Sequence, residues 1–180
     1  MAQKNIDFDK AKAAVLYIVS ELGKADFTKV FKILFFAEKK HLAKYGRMIV
    51  GDSFIKMEYG PVPSKLYDLF KAGRDNSSSS KSTKEFLSAF NVVGYTVDSK
   101  ERPDLDELSK SDIECLDESI NENKKLPFKG ISEKSHGLAW ASATLNGRID
   151  YIDIAKEGGA TEDMIEYIKE FNENLNLEIV

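Results

Sequence analysis

The sequence predicts an α+β fold: a mainly helical single domain over residues 1–180 with a small antiparallel β-sheet. Three observations predict it. Apolar residues recur at helical spacing over much of the chain, each run opening behind a good N-cap residue. Three short extended stretches, at Phe54–Glu58, Val92–Val97 and near Pro103–Leu105, are set off by turn residues. The 180 residues suffice for one ordinary core, and no repeat at solenoid spacing divides them.

Asp7 is placed to cap a first helix, on which Ala11, Ala14, Val15, Ile18, Val19 and Leu22 share one face, and Gly23 follows its end. Asp26 caps a second helix running to about Lys44, and so short a connection predicts a helical hairpin. On that second helix Val30, Phe31, Ile33, Leu34, Phe35, Ala37, Leu42 and Tyr45 form a broad apolar arc. Lys29, Lys32, Lys39 and Lys40 fill the opposite arc. Phe36 interrupts the lysines. Glu38 and His41 fall among the apolar residues, where an unpaired polar group is costly.

Tyr45-Gly46-Arg47 makes a tight turn, with Arg47 and Asp52 placed to bridge each other. Gly60-Pro61-Val62-Pro63 reads as a rigid corner, because each proline fixes its own φ and extends the residue before it. Ser64 then caps a helix packed through Leu66, Tyr67, Leu69 and Phe70. Residues 74–83 (RDNSSSSKST) read as a mobile internal loop, and a short helix follows at Lys84–Phe90. Ser109 and Asp112 form a capping box, with Leu108 and Ile113 as its staple, and Ile113, Leu116 and Ile120 as the buried stripe. Leu126-Pro127-Phe128 breaks the chain. A helical segment opened by Ile131–His136 carries Trp140, Asn146-Gly147 is a turn, and Ile149–Ile154 form a short element. Thr161 caps the last helix, with Met164, Ile165, Ile168, Phe171 and Leu175 facing inward.

The composition is that of a soluble globular protein, with 42% hydrophobic and 31% charged residues. No apolar run approaches the ~20 residues of a membrane span, and Met1–Asn5 lead into an amphipathic pattern without a secretory apolar region. Cys115 stands alone, which suits the cytoplasm. The net charge of −4 hides an asymmetry. Met1–Lys84 carries 16 basic against 9 acidic side chains, and Glu85–Val180 carries 10 against 21. Halves of opposite sign can dock on each other or face different partners. With pI near 5.4 the chain is not an obvious nucleic-acid binder.

No phosphate loop, GxSxG elbow or HExxH is present. Glu38, His41 and His136 are too few for a zinc site, and a hydrogen-bonded polar core that locks the second helix is the expected role for all three. Ser135 and His136 are neighbours in sequence, which says nothing of triad geometry. No catalytic residue, cofactor or metal is therefore expected. Phe36 among its lysines has two readings. Either another element covers it, with the acidic half packing on the lysine stems, or it is an aromatic anchor for an acidic partner.

These residues resemble the Panacea domain, the SocA-like, phage-associated family of antitoxins. The resemblance is carried by Lys32-Ile33-Leu34-Phe35-Phe36-Ala37-Glu38 with His41-Leu42, Tyr45-Gly46-Arg47, Gly51-Asp52, Met57, Tyr59-Gly60-Pro61-Val62-Pro63-Ser64 and Leu66-Tyr67-Asp68. Weaker matches are Leu108-Ser109, Ser135-His136 with Trp140, and Ile149–Ile154. Glu38 stands where Asp is more usual, and Lys56 where a small residue usually precedes the Met. The resemblance implies a non-enzymatic, cytoplasmic antitoxin, with a place in phage defence. Its partner would be a cognate toxin protein encoded nearby, neutralised by occlusion or by delivery to a protease or chaperone. The candidate toxin-binding residues are Lys32, Phe36, Lys39, Lys40, Arg47, Asp52, Lys56 and Tyr59. The alternative is a winged-helix-like DNA-binding transcriptional regulator, since a basic helix–turn–helix half precedes a strand. Its recognition helix would be Ser64–Lys71, which is mostly apolar or acidic.

Overall fold

The computed structural model describes residues 6–77 and 80–177. Met1–Asn5, Ser78-Ser79 and the Leu175 side chain, each part of an expectation above, lie outside the described residues.

Two helices make the expected opening hairpin. Helix α1 (Phe8–Leu22) is capped by Asp7, whose carboxylate accepts from Asp9 and Lys10 N–H. Helix α2 (Phe27–Tyr45) is capped by Asp26, which accepts from Lys29 N–H at 2.9 Å. It ends at Gly46, whose left-handed φ of 71° turns the chain and aims its N–H at the Leu42 carbonyl. Helix α2 is the axis of the molecule. Around it pack α1, α5 (Lys110–Asn123), α6 (Phe128–Lys134) and α8 (Tyr151–Glu157), together with strand β3 (Gly60–Pro63). With neighbours on every side, Phe27 through Ala37 are mostly buried, and the buried apolar side chains form one contiguous cluster from Ile6 to Ile168.

The fold class is the predicted one, mainly helical with antiparallel strands, but the strands fall differently. The Gly60–Pro63 corner is itself a strand. It pairs antiparallel with β2 (Phe54–Met57), so that Lys56 faces Pro61 and Phe54 faces Pro63 across a Glu58-Tyr59 turn. Prolines are tolerated because β3 is the edge of a two-stranded ribbon and needs no further donors. The other edge of β2 is covered by residues 146–149, with Ile149 N–H donating to the Phe54 carbonyl and Lys56 N–H to that of Gly147.

The second sheet lies apart, in the order β1 (Ala25–Asp26), β5 (Thr96–Ser99), β4 (Phe90–Val93). The strand expected over Val92–Val97 is thus a hairpin folded at Gly94-Tyr95. Pro103–Leu105 contributes no strand. A 3-10 turn occupies Leu105–Glu107 instead.

Helix α3 (Ser64–Arg74) is not capped by Ser64 but from a distance, the Asp52 carboxylate accepting from Lys65 and Leu66 N–H at 3.2 and 2.9 Å. The serine-rich loop is shorter than expected, because Ser80 already caps α4 (Lys81–Ser88). Helix α6 and the short α7 (Leu138–Ser142) replace the single helical segment expected to carry Trp140. Helix α9 (Glu162–Leu177) opens at Thr161 as expected, but Phe171 lies on its exposed side.

Candidate functional site

The polar residues of α2 are consumed by the fold, each in its own way. Glu38 is wholly buried and accepts three backbone N–H groups of the loop after α2, from Ile49, Val50 (2.8 Å) and Gly51 (3.3 Å). Burial pushes its carboxyl up to about 7, against the pull of those donors. Because both oxygens already receive N–H groups, an amide nitrogen has no place there. Glu38→Gln is expected to lower stability by about 1–3 kcal/mol, measured by urea unfolding, since a buried donor would lose its acceptor.

His41 does not bond Glu38. Its Nδ1 donates to the Arg47 carbonyl at 2.8 Å, and its Nε2 meets the Ser111 hydroxyl at 2.9 Å and Asp112 Oδ1 at 3.1 Å. Asp112 is also bonded by Lys10 (2.7 Å), by Arg47 (3.1 Å) and by Ser109 N–H, completing the predicted capping box. Burial opposes its charge, but the hydrogen bonds from His41, Lys10 and Ser109 hold it well below the usual carboxylate range. The expected Arg47–Asp52 bridge is absent, because Asp112 takes Arg47 and the end of α3 takes Asp52.

The lysine face is covered. Lys39 pairs with Glu157 of α8 at 2.8 Å, Lys40 with Glu118 and Glu122 of α5, and Lys44 with Glu114 and Glu118. The oppositely charged halves therefore meet along α2 and α5, although each exposed pair contributes little by itself. Phe36 is 3% exposed rather than outward-facing, its ring lying between the ammonium groups of Lys39 and Lys134 at 5.2 and 5.0 Å. Lys32 is 1% exposed, its amine donating to the Pro61 carbonyl at 2.7 Å beneath the β2–β3 hairpin. Burial pulls that amine down to about 7, with Asp26 drawing it the other way.

The hairpin tip is pinned to α6 and α7 by residues the sequence left scattered. Ser132 Oγ donates to the Tyr59 carbonyl, and Trp140 Nε1 to that of Met57, both at 3.0 Å. His136 stacks on Trp140 at 3.9 Å, bonds the Glu58 backbone and has a buried Nε2 with no hydrogen-bond partner. Lys56 lies over Trp140 at 4.3 Å and donates to the Ala143 carbonyl. Gly60 has φ +104°, and a Cβ there would stand 2.1 Å from Ser135 Oγ and 2.7 Å from Lys32 Cε. The glycine of the GPVPS run is thus required by close approach to α2 and to the end of α6.

Among the described residues no reacting constellation assembles. Ser135 Oγ donates to the Ser132 carbonyl, and His41 and His136 bond different parts of the chain. Among the described residues no group of three or more His, Cys, Asp or Glu is placed to hold a metal ion. The family model described as "Antitoxin SocA-like, Panacea domain" matches residues 30–141, well over half of the chain. The chain belongs to this family. The match begins on α2 and ends on α7, so it contains the Glu38 lock, the Asp52 cap, the Asp112 hub and the whole β2–β3 hairpin. No curated protein and no solved structure matches the chain. Panacea membership implies an antitoxin kind of protein with a toxin partner in general. No described helix is long and apolar enough to cross a membrane.

Of the residues expected to meet a toxin, Lys32, Phe36 and Asp52 lie in the interior. Lys39 and Lys40 are held in ion pairs, while Arg47 keeps a side chain 42% exposed beside Asp112. Lys56 is partly covered, and Tyr59 is 53% exposed at the hairpin tip. The sequence reading missed Phe128 and Leu138. Both are large, apolar and exposed, and nothing in the local pattern distinguishes them from core residues.

Proposed function

We propose that this Panacea-domain chain works as one unit in the cytoplasm as the antitoxin of a toxin–antitoxin pair, neutralising a toxin encoded nearby by direct binding. The observation that carries this reading is the family match over residues 30–141. The fate of the chemistry-bearing residues supports it. Glu38, His41, Asp52 and Asp112 are spent on helix caps and loop locks, which suits a protein that offers a surface rather than a reaction. The candidate recognition helix, α3, buries Leu66, Leu69 and Phe70 and pairs Lys71 with Asp68, which argues against its entering a DNA groove.

The test is growth. Expression of the adjacent gene alone is expected to arrest growth, and co-expression with this chain to restore it, with the two proteins co-purifying. A harmless neighbour, or one whose toxicity this chain leaves unchanged, overturns the reading. A salt-dependent gel shift on the upstream DNA in place of rescue would favour the transcriptional regulator.

A further inference from the structure

The hairpin tip carries an exposed apolar surface that the scaffold does not use. Tyr59 is 53% exposed and packs edge-on against Phe128, 47% exposed, at 5.4 Å. Leu138 is 79% exposed, the most exposed of the large apolar residues described. It opens α7, two residues before the Trp140 that bonds the Met57 carbonyl. Beneath Tyr59 the support is rigid. Ser132 holds the Tyr59 carbonyl, Trp140 and His136 are stacked, and Gly60 lies tight against Ser135 and Lys32. An aromatic pair with an aliphatic neighbour on a preorganised base has the composition of an interface anchor.

The surrounding charge points to the occupant. The chain as a whole is acidic, yet Lys124, Lys125 and Lys129 lie exposed within four residues of Phe128. Lys124 and Lys125 make no ion pair among the described residues, and Lys129 has only the exposed Glu133 at 3.8 Å. Lys134 is engaged beneath, with Asn123 and Phe36, and Glu58 is the one acid at the hairpin tip. The lysines flanking Phe128 in the chain complement an acidic segment bearing an apolar side chain.

The geometry points to the Tyr59–Phe128–Leu138 surface as the face that docks the toxin, through an acidic segment of the toxin with an apolar residue at its centre. This rests on the antitoxin reading. The probe is the purified product of the adjacent gene. Phe128→Ala with Leu138→Ala is expected to weaken its binding about tenfold or more and to abolish growth rescue. Since both side chains are largely exposed, the far-UV circular dichroism and Tm should stay those of the wild type. Lys129→Glu should slow association and flatten its salt dependence. A photo-crosslinker in place of Phe128 should capture the toxin, and one in place of Lys84, on α4 beside α3 and β4, should not.

If the wild type binds and rescues while the double variant does so equally well, or the crosslink forms only at position 84, the surface assignment is overturned and the antitoxin reading stands. If the wild type itself neither binds nor rescues, both are overturned. A double variant that turns a wild-type dimer into a monomer but still neutralises would assign the face to a second copy of this chain. Loss of binding to a 30-base-pair DNA duplex with toxin binding intact would assign it to nucleic acid. Either result overturns the proposal.

Discussion

Replacing Asp112 by alanine is expected to lower the stability of this chain by about 3–5 kcal/mol, the range for removing one partner of a buried ionic cluster. The carboxylate has no exposure, and it holds Lys10 of α1, His41 of α2, Arg47 of the following loop and the N-terminus of its own helix α5. Its loss would leave a fully buried imidazole and a largely covered ammonium facing one another without the anion between them. Asp112→Asn keeps the shape and removes the charge, which separates packing from electrostatics. The carboxyl titrates lower in the folded chain than in the unfolded one. Its stabilisation is therefore fully present above the usual carboxylate range, near pH 4, and is lost as the pH falls below it. Urea unfolding of wild type and Asp112→Asn should show a gap that is constant from pH 5 to 7 and narrows by roughly 1 kcal/mol towards pH 3. A gap that does not change with pH would mean that Asp112 acts by shape alone.

Asp112 also shows what the sequence could disclose. The Ser109–Asp112 spacing gave the capping box, because a cap is satisfied within four residues. The partners Lys10 and His41 are brought there only by the packing of α1 and α2 against α5, and no local pattern records that. The same division runs through the fold. Asp7, Asp26 and Thr161 were legible as caps, whereas Asp52 caps α3 across thirteen residues and was instead expected to pair with Arg47. The two prolines made residues 60–63 look like a corner, because a proline weakens a strand assignment unless one knows that the strand is an edge. Gly94 inside an apolar run marked a turn rather than a strand interior. Helical periodicity found α2 but overstated its polar face. With neighbours on all sides, Phe36 is covered, and lysine stems pass over its ring to reach carboxylates on other helices. The Tyr59–Phe128 contact was half legible, since Tyr59 sits in a recognisable run and Phe128 reaches it only through the packing of α6.

Lys32→Met is expected to change stability in a way that depends steeply on pH, and it tests how the hairpin is held. The amine lies in the interior with the Pro61 carbonyl as its hydrogen-bond partner, its stem against Gly60, and Ser135 and His136 close by. Unfolded, it would titrate near 10.5; folded, burial brings it to about 7. Between these values the unfolded chain binds the extra proton, so the wild type gains stability as pH rises from 7 towards 10.5, whereas below 7, with both states protonated, this contribution is flat. Methionine fills the same volume and does not titrate. Relative to wild type, Lys32→Met should therefore be more favourable at pH 6 than at pH 9, by about 2–3 kcal/mol at roughly 1.4 kcal/mol per pH unit. The loss of the Pro61 bond and of packing shifts both values equally and leaves that difference intact. The Glu38 carboxyl moves in the opposite sense, costing stability as pH rises from about 4.5 to 7, but it is common to both proteins and cancels. Paired urea titrations at the two pH values decide the matter. An unchanging gap would show that the amine stays charged, which requires the hairpin to open and admit water above α2. In the expected case a neutral amine holds the Pro61 carbonyl of β3 beneath the hairpin whose turn carries Tyr59, and the folded chain gains from that neutral form only above pH 7.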